Sequence, residues 1–391
     1  MKTFSCGVCA QPVYFENSLC TNCGSTLGFL PDQMRLAAVV EGEDGLWHTP
    51  RSASEVSTHP APQNRGFWAR LFGRDNKKKP VERMVSTSPT PAYRKCGNYL
   101  QHNVCNWMAP AESTEVFCTA CQPNQIIPNL SRPGNLEKWA RIERSKRRLV
   151  YGLLRLGLPQ RTKAEDAENG LGFAFLSSLD APPDLPVLTG HADGLITINL
   201  DEADSVHRER MRLDMDEKYR TLLGHFRHEI GHYYWDLLVR DSDRVEAFRE
   251  LFGDERADYQ QALDNYYANG APEDWQDRCI SAYAASHPWE DWAESFAHYL
   301  HIVDTLETSE HFGITTERRL PDGAVQGAAP DFDSYGVADF GPIIDQWAPL
   351  TFALNSINRS MGQTDTYPFV LSPKSIEKLG FVHQVIRDNR L

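Results

Sequence analysis

No stretch of the 391 residues approaches the ~18 apolar residues that a membrane span requires. The first residues, Met1-Lys2-Thr3-Phe4-Ser5-Cys6, lack the apolar core of a secretory signal, so a cytoplasmic location is expected. Cysteine is nearly absent after residue 121, where Cys279 alone remains of nine. Positive charge is scarce in the later part too. Residues 151–391 hold 21 Lys and Arg against 41 Asp and Glu, which disfavours a phosphate-binding surface there. Residues 1–150 hold 19 against 12. Such asymmetry predicts two functional parts. With 41% hydrophobic and 24% charged residues, a wholly disordered, collagenous or coiled-coil chain is excluded, and the length suits two or three domains.

The eight early cysteines form two tetrads. The first is Cys6-x2-Cys9 followed by Cys20-x2-Cys23. A two-residue gap lets one tight turn present two sulfurs to one ion, and four thiolates suit tetrahedral zinc. The second is Cys96, Cys105, Cys118 and Cys121, in which only the last pair has the short gap. A second zinc is expected there, with His102 a substitute for Cys96 or Cys105. Closed sites of this kind hold a fold together and leave no position for substrate. Cys279 reads as a small core residue.

Between the tetrads, residues 51–91 are rich in Ser, Thr, Pro, Asn and basic residues and read as a flexible insertion. Within it, residues 67–74 form a short basic amphipathic patch, too short to be a stable helix alone. After the tetrads, a helix capped at Asn135 and ended by Gly157-Leu158-Pro159 is predicted, and its run Arg144-Ser145-Lys146-Arg147-Arg148 reads as a solvated face. Strands are predicted at 173–176 and 195–200. Helices are predicted at about 216–240, 243–252, 254–268, 272–285, 288–305, 341–360 and 373–388, with a long loop over 307–335.

The segment His228-Glu229-Ile230-Gly231-His232 lies in the helix over 216–240. Two histidines four apart share one helical face, where both imidazoles can hold one metal ion. Glu229 beside them is placed to take a proton from water activated by that metal. A catalytic zinc needs a third protein ligand and an open position, and no third histidine follows shortly after His232. In the helix beginning near Pro288, Glu290, Glu294, His298 and His301 share a face that is otherwise apolar. Buried carboxylates need a partner, and a metal is a sufficient one. Glu294 is the expected third ligand. The alternatives are Glu290, with Glu294 orienting a ligand histidine, or a solvated acidic face with no metal. His298, Tyr299 and His301 are candidate donors to an oxyanion.

Several stretches together carry a resemblance. They are the first tetrad with Phe15-Glu16-Asn17, then Cys105-Asn106-Trp107-Met108, Lys146-Arg147-Arg148-Leu149, the His228 motif, the segment 289–299, and Tyr367-Pro368-Phe369-Val370-Leu371. Over nearly its full length the chain resembles the zinc-binding metallopeptidases that carry an N-terminal zinc ribbon. The segment Glu294-Ser295-Phe296-Ala297-His298-Tyr299 also resembles the ligand-bearing helix of glutamate-ligand zincins, where the matching glutamate is the zinc ligand, which favours Glu294. The substrate-amine recognition motif of the zincin aminopeptidases is missing, so aminopeptidase specificity is not implied.

The expected architecture is α+β. A double zinc-ribbon module over 1–130 precedes a mostly helical zincin-like metallopeptidase domain with a small sheet over 131–391. The expected activity is hydrolysis of a peptide or peptide-like amide bond by zinc-activated water, with Glu229 as general base. One catalytic zinc and one or two structural zincs are implied. The strand at 195–200 is either a plain sheet strand or an edge that pairs with an extended peptide. The competing function classes are a non-catalytic ribbon adaptor for a protein partner and a zinc-ribbon nucleic-acid binder. The intact Glu229 counts against the first, and the lack of a dense basic–aromatic surface on the ribbons counts against the second.

Overall fold

The computed structural model describes residues 2–50, 91–179, 187–214 and 218–391. The basic patch at 67–74 and nearly all of the 51–91 insertion lie outside them. The described residues form an α+β structure in two compact units, Thr3–Thr119 and, in the main, Ala120–Leu391.

The first unit is built from short antiparallel pairs: β1 (Phe4–Ser5) with β2 (Pro12–Val13), and β3 (Leu27–Leu30) with β4 (Arg35–Ala38). A four-stranded sheet follows in the order β5 (Val40–Glu41), β6 (Trp47–His48), β7 (Ala92–Lys95) and β8 (Met108–Pro110), with the six-residue helix α1 (Gly97–His102) after β7. Two stretches singled out in the sequence meet here. The Asn106 amide donates to the carbonyls of Phe15 (2.6 Å) and Asn17 (3.1 Å). Phe29 packs between Phe15 and Trp107, with ring centroids 5.0 and 4.5 Å away. Both ribbon halves therefore share one aromatic core, which so small a unit needs beside its metals.

The second unit begins with β9 (Asn124–Ile126), α2 (Asn135–Leu156), β10 (Gly172–Leu176), β11 (Gly190–Ala192) and β12 (Leu195–Asn199). Its sheet runs β11-β12-β10-β9, with β10 parallel to both β9 and β12. β9 joins this sheet as part of the second unit. The strand expected at 195–200 is interior: β12 is flanked by β11 on one side and β10 on the other, so it offers no edge to a peptide. Gly157, in the left-handed conformation at φ 68°, ends α2. Asn135 is its first helical residue rather than its cap.

The basic run in α2 departs from the sequence reading. Lys146 is fully buried and Arg147 nearly so. The Lys146 ammonium donates to Glu143 at 3.0 Å and to the Asn124 amide oxygen, and lies near the rings of Phe173 and Phe175. Both cations are buried, and Lys146 is paired, so they present no phosphate-binding surface.

The helices that follow are α3 (Ser205–Asp214), α4 (Leu222–Leu238), α5 (Val245–Phe252), α6 (Tyr259–Asn269), α7 (Trp275–Arg278) and α8 (Pro288–Phe312). Then come the hairpin β13 (Thr316–Arg319) and β14 (Val325–Ala328), α9 (Gly341–Ser360) and α10 (Pro373–Asp388). α3 was not foreseen. The helix expected over 272–285 breaks after one turn. The Arg278 carbonyl is taken by Lys378 Nζ at 2.7 Å, Cys279 is extended, and the Ser281 hydroxyl accepts from Ala284 N to start a separate turn. The expected loop over 307–335 is instead the end of α8 and a hairpin reversed by Pro321-Asp322-Gly323, with Gly323 at φ 86°. Among the described residues no helix is long and apolar enough to cross a membrane.

Candidate metal centre

Both cysteine tetrads are gathered. In each, one sulfur from every cysteine lies within 4.8 Å of the others, and His102 is not part of the second group. Cys279 is buried elsewhere, 3.7 Å from the Asp291 carboxylate.

A third cluster lies where α4 packs on α8. Thr221 caps α4 by accepting from Gly224 N at 3.0 Å, which starts the helix at Leu222. His287 caps α8 by accepting from Trp289 N at 3.1 Å, and Pro288 takes the first helical position. These two starts set the axial offset between the helices. Gly231 permits their close approach: a Cβ there would stand 2.9 Å from the Ala293 Cα and 3.1 Å from the Phe296 Cβ. The Gly231 carbonyl also accepts from the Trp292 indole at 2.8 Å. In an open helix, Gly→Ala stabilises by about 1 kcal/mol. Gly231→Ala is expected to do the reverse, costing ~1–3 kcal/mol in denaturant unfolding because the collision is with backbone.

His228 and His232 point their Nε2 atoms at one spot, 3.2 Å apart. The third group there is Glu290, whose Oε2 is 2.9 Å from His228 Nε2 and 3.5 Å from His232 Nε2. Tetrahedral ligands at zinc–ligand distances of ~2.0–2.1 Å stand roughly 3.3 Å apart. The three observed separations match this spacing. Glu290 is 1% exposed, yet its Oε2 completes no hydrogen bond, while its Oε1 accepts from the Tyr259 hydroxyl at 2.6 Å. A bare, buried carboxylate oxygen facing two imidazole nitrogens is the donor set of a cation site.

Glu294, expected as the third ligand, stands elsewhere. Its Oε1 is 2.8 Å from His228 Nδ1, the outer nitrogen, and its Oε2 accepts from the Ser281 hydroxyl at 2.6 Å. A carboxylate on Nδ1 keeps the proton there and leaves Nε2 bare. Burial opposes ionisation of Glu294, but the His228 imidazole overcomes it and holds the carboxyl at about 2. Glu290 is likewise held well below the usual range, its burial outweighed by His232 and His228. The Glu229 carboxyl is pushed up, chiefly by burial, with the two histidines offsetting part of the effect.

The other anticipated residues turn away from the cluster. Tyr299 pairs with His383 Nδ1 at 2.9 Å, His298 Nδ1 with the Tyr367 hydroxyl at 2.7 Å, and His301 Nδ1 with Arg227 at 2.6 Å. Four residues not named from the sequence do surround it: Tyr259 on Glu290, Ser281 on Glu294, the Trp289 ring 3.8 Å from that of His232, and Tyr283, whose ring lies 5.9 Å from that of His228. Trp289, directly before Glu290, was within reach of the sequence reading. The other three arrive from separate segments and carry no local signal.

A family model described as "Putative zinc-binding metallo-peptidase" matches residues 135–385. A zinc-ribbon domain model matches twice, over 3–65 and 69–132. Uncharacterized proteins of Mycobacterium tuberculosis and Mycobacterium bovis are each 40% identical to the chain over 387 residues, covering 99% of it and 95% of the relative. No solved structure matches.

Proposed function

The chain belongs to the zinc-binding metallopeptidase family, and from that premise we propose that it hydrolyses a peptide or peptide-like amide bond at a zinc held by His228, His232 and Glu290. The observation that carries this reading is the convergence of three ligand atoms at 2.9–3.5 Å, with Glu229 directly after His228 on the same helix. Zinc in such a site polarises a carbonyl and acidifies water. The Glu229 carboxylate then takes the proton of the attacking water and returns it to the leaving amine. Glu294 fixes the His228 ring through Nδ1, and Ser281 fixes Glu294. Tyr259 holds the far oxygen of Glu290.

The catalytic zinc belongs to a domain over 131–391, and each cysteine tetrad holds one further, structural zinc in a ribbon module over 1–130. Two thiolate tetrads suit a reducing compartment, which supports a cytoplasmic protein. The ribbons are the natural docking point for a protein partner, and the adaptor reading has no observation of its own beyond them.

The test is digestion of a peptide mixture by the zinc-loaded chain, read by mass spectrometry beside Glu229→Gln. Cuts made only by the unmodified chain are expected. A mixture left intact by both chains would overturn the assignment.

A further inference from the structure

The face of α8 that carries Glu290 and Glu294 continues one turn later into His298 and His301. There the second unit contains a cavity of about 100 Å3 whose lining includes Tyr219, His298, His301, Trp347, Tyr367 and Phe369. Resting on the peptidase reading above, we infer that this cavity is a substrate subsite that receives an aromatic or large apolar, uncharged side chain next to the bond cut.

Its position supports this use. A helical turn rises 5.4 Å, so His298 stands about that far along α8 from Glu294, which touches His228. Successive Cα atoms of an extended peptide are ~3.8 Å apart. A residue flanking a bond held at the metal cluster therefore brings its side chain to the cavity. On the α4 side, a Cβ at Gly224 would stand 3.4 Å from the Tyr219 ring and 3.8 Å from His301 Nε2, two of the lining residues.

Its chemistry selects the occupant. Part of the lining is aromatic rings set edge to face: Phe369 against His298 (4.3 Å, 80°), Tyr219 against His301 (5.5 Å, 88°) and Tyr367 against Trp347 (4.9 Å, 84°); uncharged Thr305, Thr351, Leu354, Asn355 and Thr366 complete it. Among the described residues, no Asp, Glu, Lys or Arg lines the cavity. The two histidines are neutral. A guanidinium only donates, so His301 Nδ1 must accept from Arg227 and Nε2 keeps the ring's one proton. Arg227 is itself tied to Asp304 at 2.7 Å. Burial also pushes the His298 imidazole down to about 4. A Lys or Glu side chain entering this space would lose its hydration and meet no counter-charge. An aromatic ring gains apolar burial and edge-to-face contacts instead.

The test separates the cavity from the chemistry. Fluorine NMR of N-acetyl-para-fluorophenylalaninamide reports binding to the zinc-loaded full chain without any cleavage. N-acetyllysinamide and N-acetylglutamic acid amide serve as competitors. Leu354→Trp fills the cavity from α9, and Thr366→Trp covers its exposed lip should the first variant fold poorly. Both are checked by zinc content and circular dichroism. Binding to the unmodified chain is expected, with a loss of about tenfold or more in the variants and no displacement by the charged amides. Cleavage products of the unmodified chain should carry Phe, Tyr, Trp or Leu beside the cut, and the variants should shift the cuts toward small residues. Equal binding by all three proteins, or displacement by a charged amide, overturns the subsite even if Glu229-dependent cleavage is seen. Selective binding lost in the variants, with no peptide cut by any chain, keeps the side-chain site and overturns the peptidase reading.

Discussion

Elemental analysis of the full chain is expected to find three zinc ions per molecule, and the His228→Ala and Glu290→Gln chains two. The effect is large because His228 and Glu290 each supply one of the three atoms gathered there among the described residues. Removing either leaves a two-ligand site with an unbalanced buried remainder. Glu290→Gln keeps the shape and the Tyr259 contact, so it separates ligation from folding. Glu294→Ala is the informative contrast. It removes the carboxylate from His228 Nδ1 but none of the three gathered atoms. Saturating zinc should therefore still give three ions, with the affinity of the third lowered about 10–100-fold, as for loss of a partner that orients a ligand histidine. Competition against a chromogenic chelator reads that difference. If Glu294→Ala lost the ion outright while Glu290→Gln kept it, the two carboxylates would exchange roles.

The choice between those carboxylates shows where the sequence stops being readable. Both sit on the same face of α8, one turn apart, so helical periodicity presents them as equals. What separates them is the offset of α8 against α4, fixed by the His287 and Thr221 caps and by the contact of Gly231 with Ala293. Those are tertiary facts. The resemblance to glutamate-ligand zincins favours Glu294, whereas the gathered atoms are those of His228, His232 and Glu290. By contrast, the pairing of His228 with His232 and the first cysteine tetrad depend only on local spacing, and both were legible. So was the gathering of the second tetrad, despite its stretched first half.

Lys146 illustrates the opposite failure. A run of four cations in five residues reads as solvated because isolated buried charges are costly. The partners that make its burial tolerable are Glu143, one turn back, and Asn124, eleven residues ahead of α2 on β9. Only the first is visible as a helical spacing. The hairpin at 316–328 was within reach, since Pro-Asp-Gly between two polar runs is a turn signal with a mechanism. The break after Arg278 was not, because it depends on a lysine a hundred residues later.

Glu229→Gln should leave all three zinc ions in place and lower kcat by about 10²–10⁴. That range corresponds to roughly 3–5.5 kcal/mol of lost transition-state stabilisation. Glu229 shares a helix with His228 and His232 but contributes none of the three gathered atoms, so metal content should not respond. Glutamine matches its shape in a position only 8% exposed, so packing should be retained. What glutamine cannot do is accept the proton of the attacking water. The loss should therefore fall on kcat with KM little changed, because ground-state contacts to the peptide stay. A fall in kcat accompanied by loss of one zinc would instead mark Glu229 as a support of the metal cluster. Unchanged hydrolysis with all zinc retained would move the general base to another group.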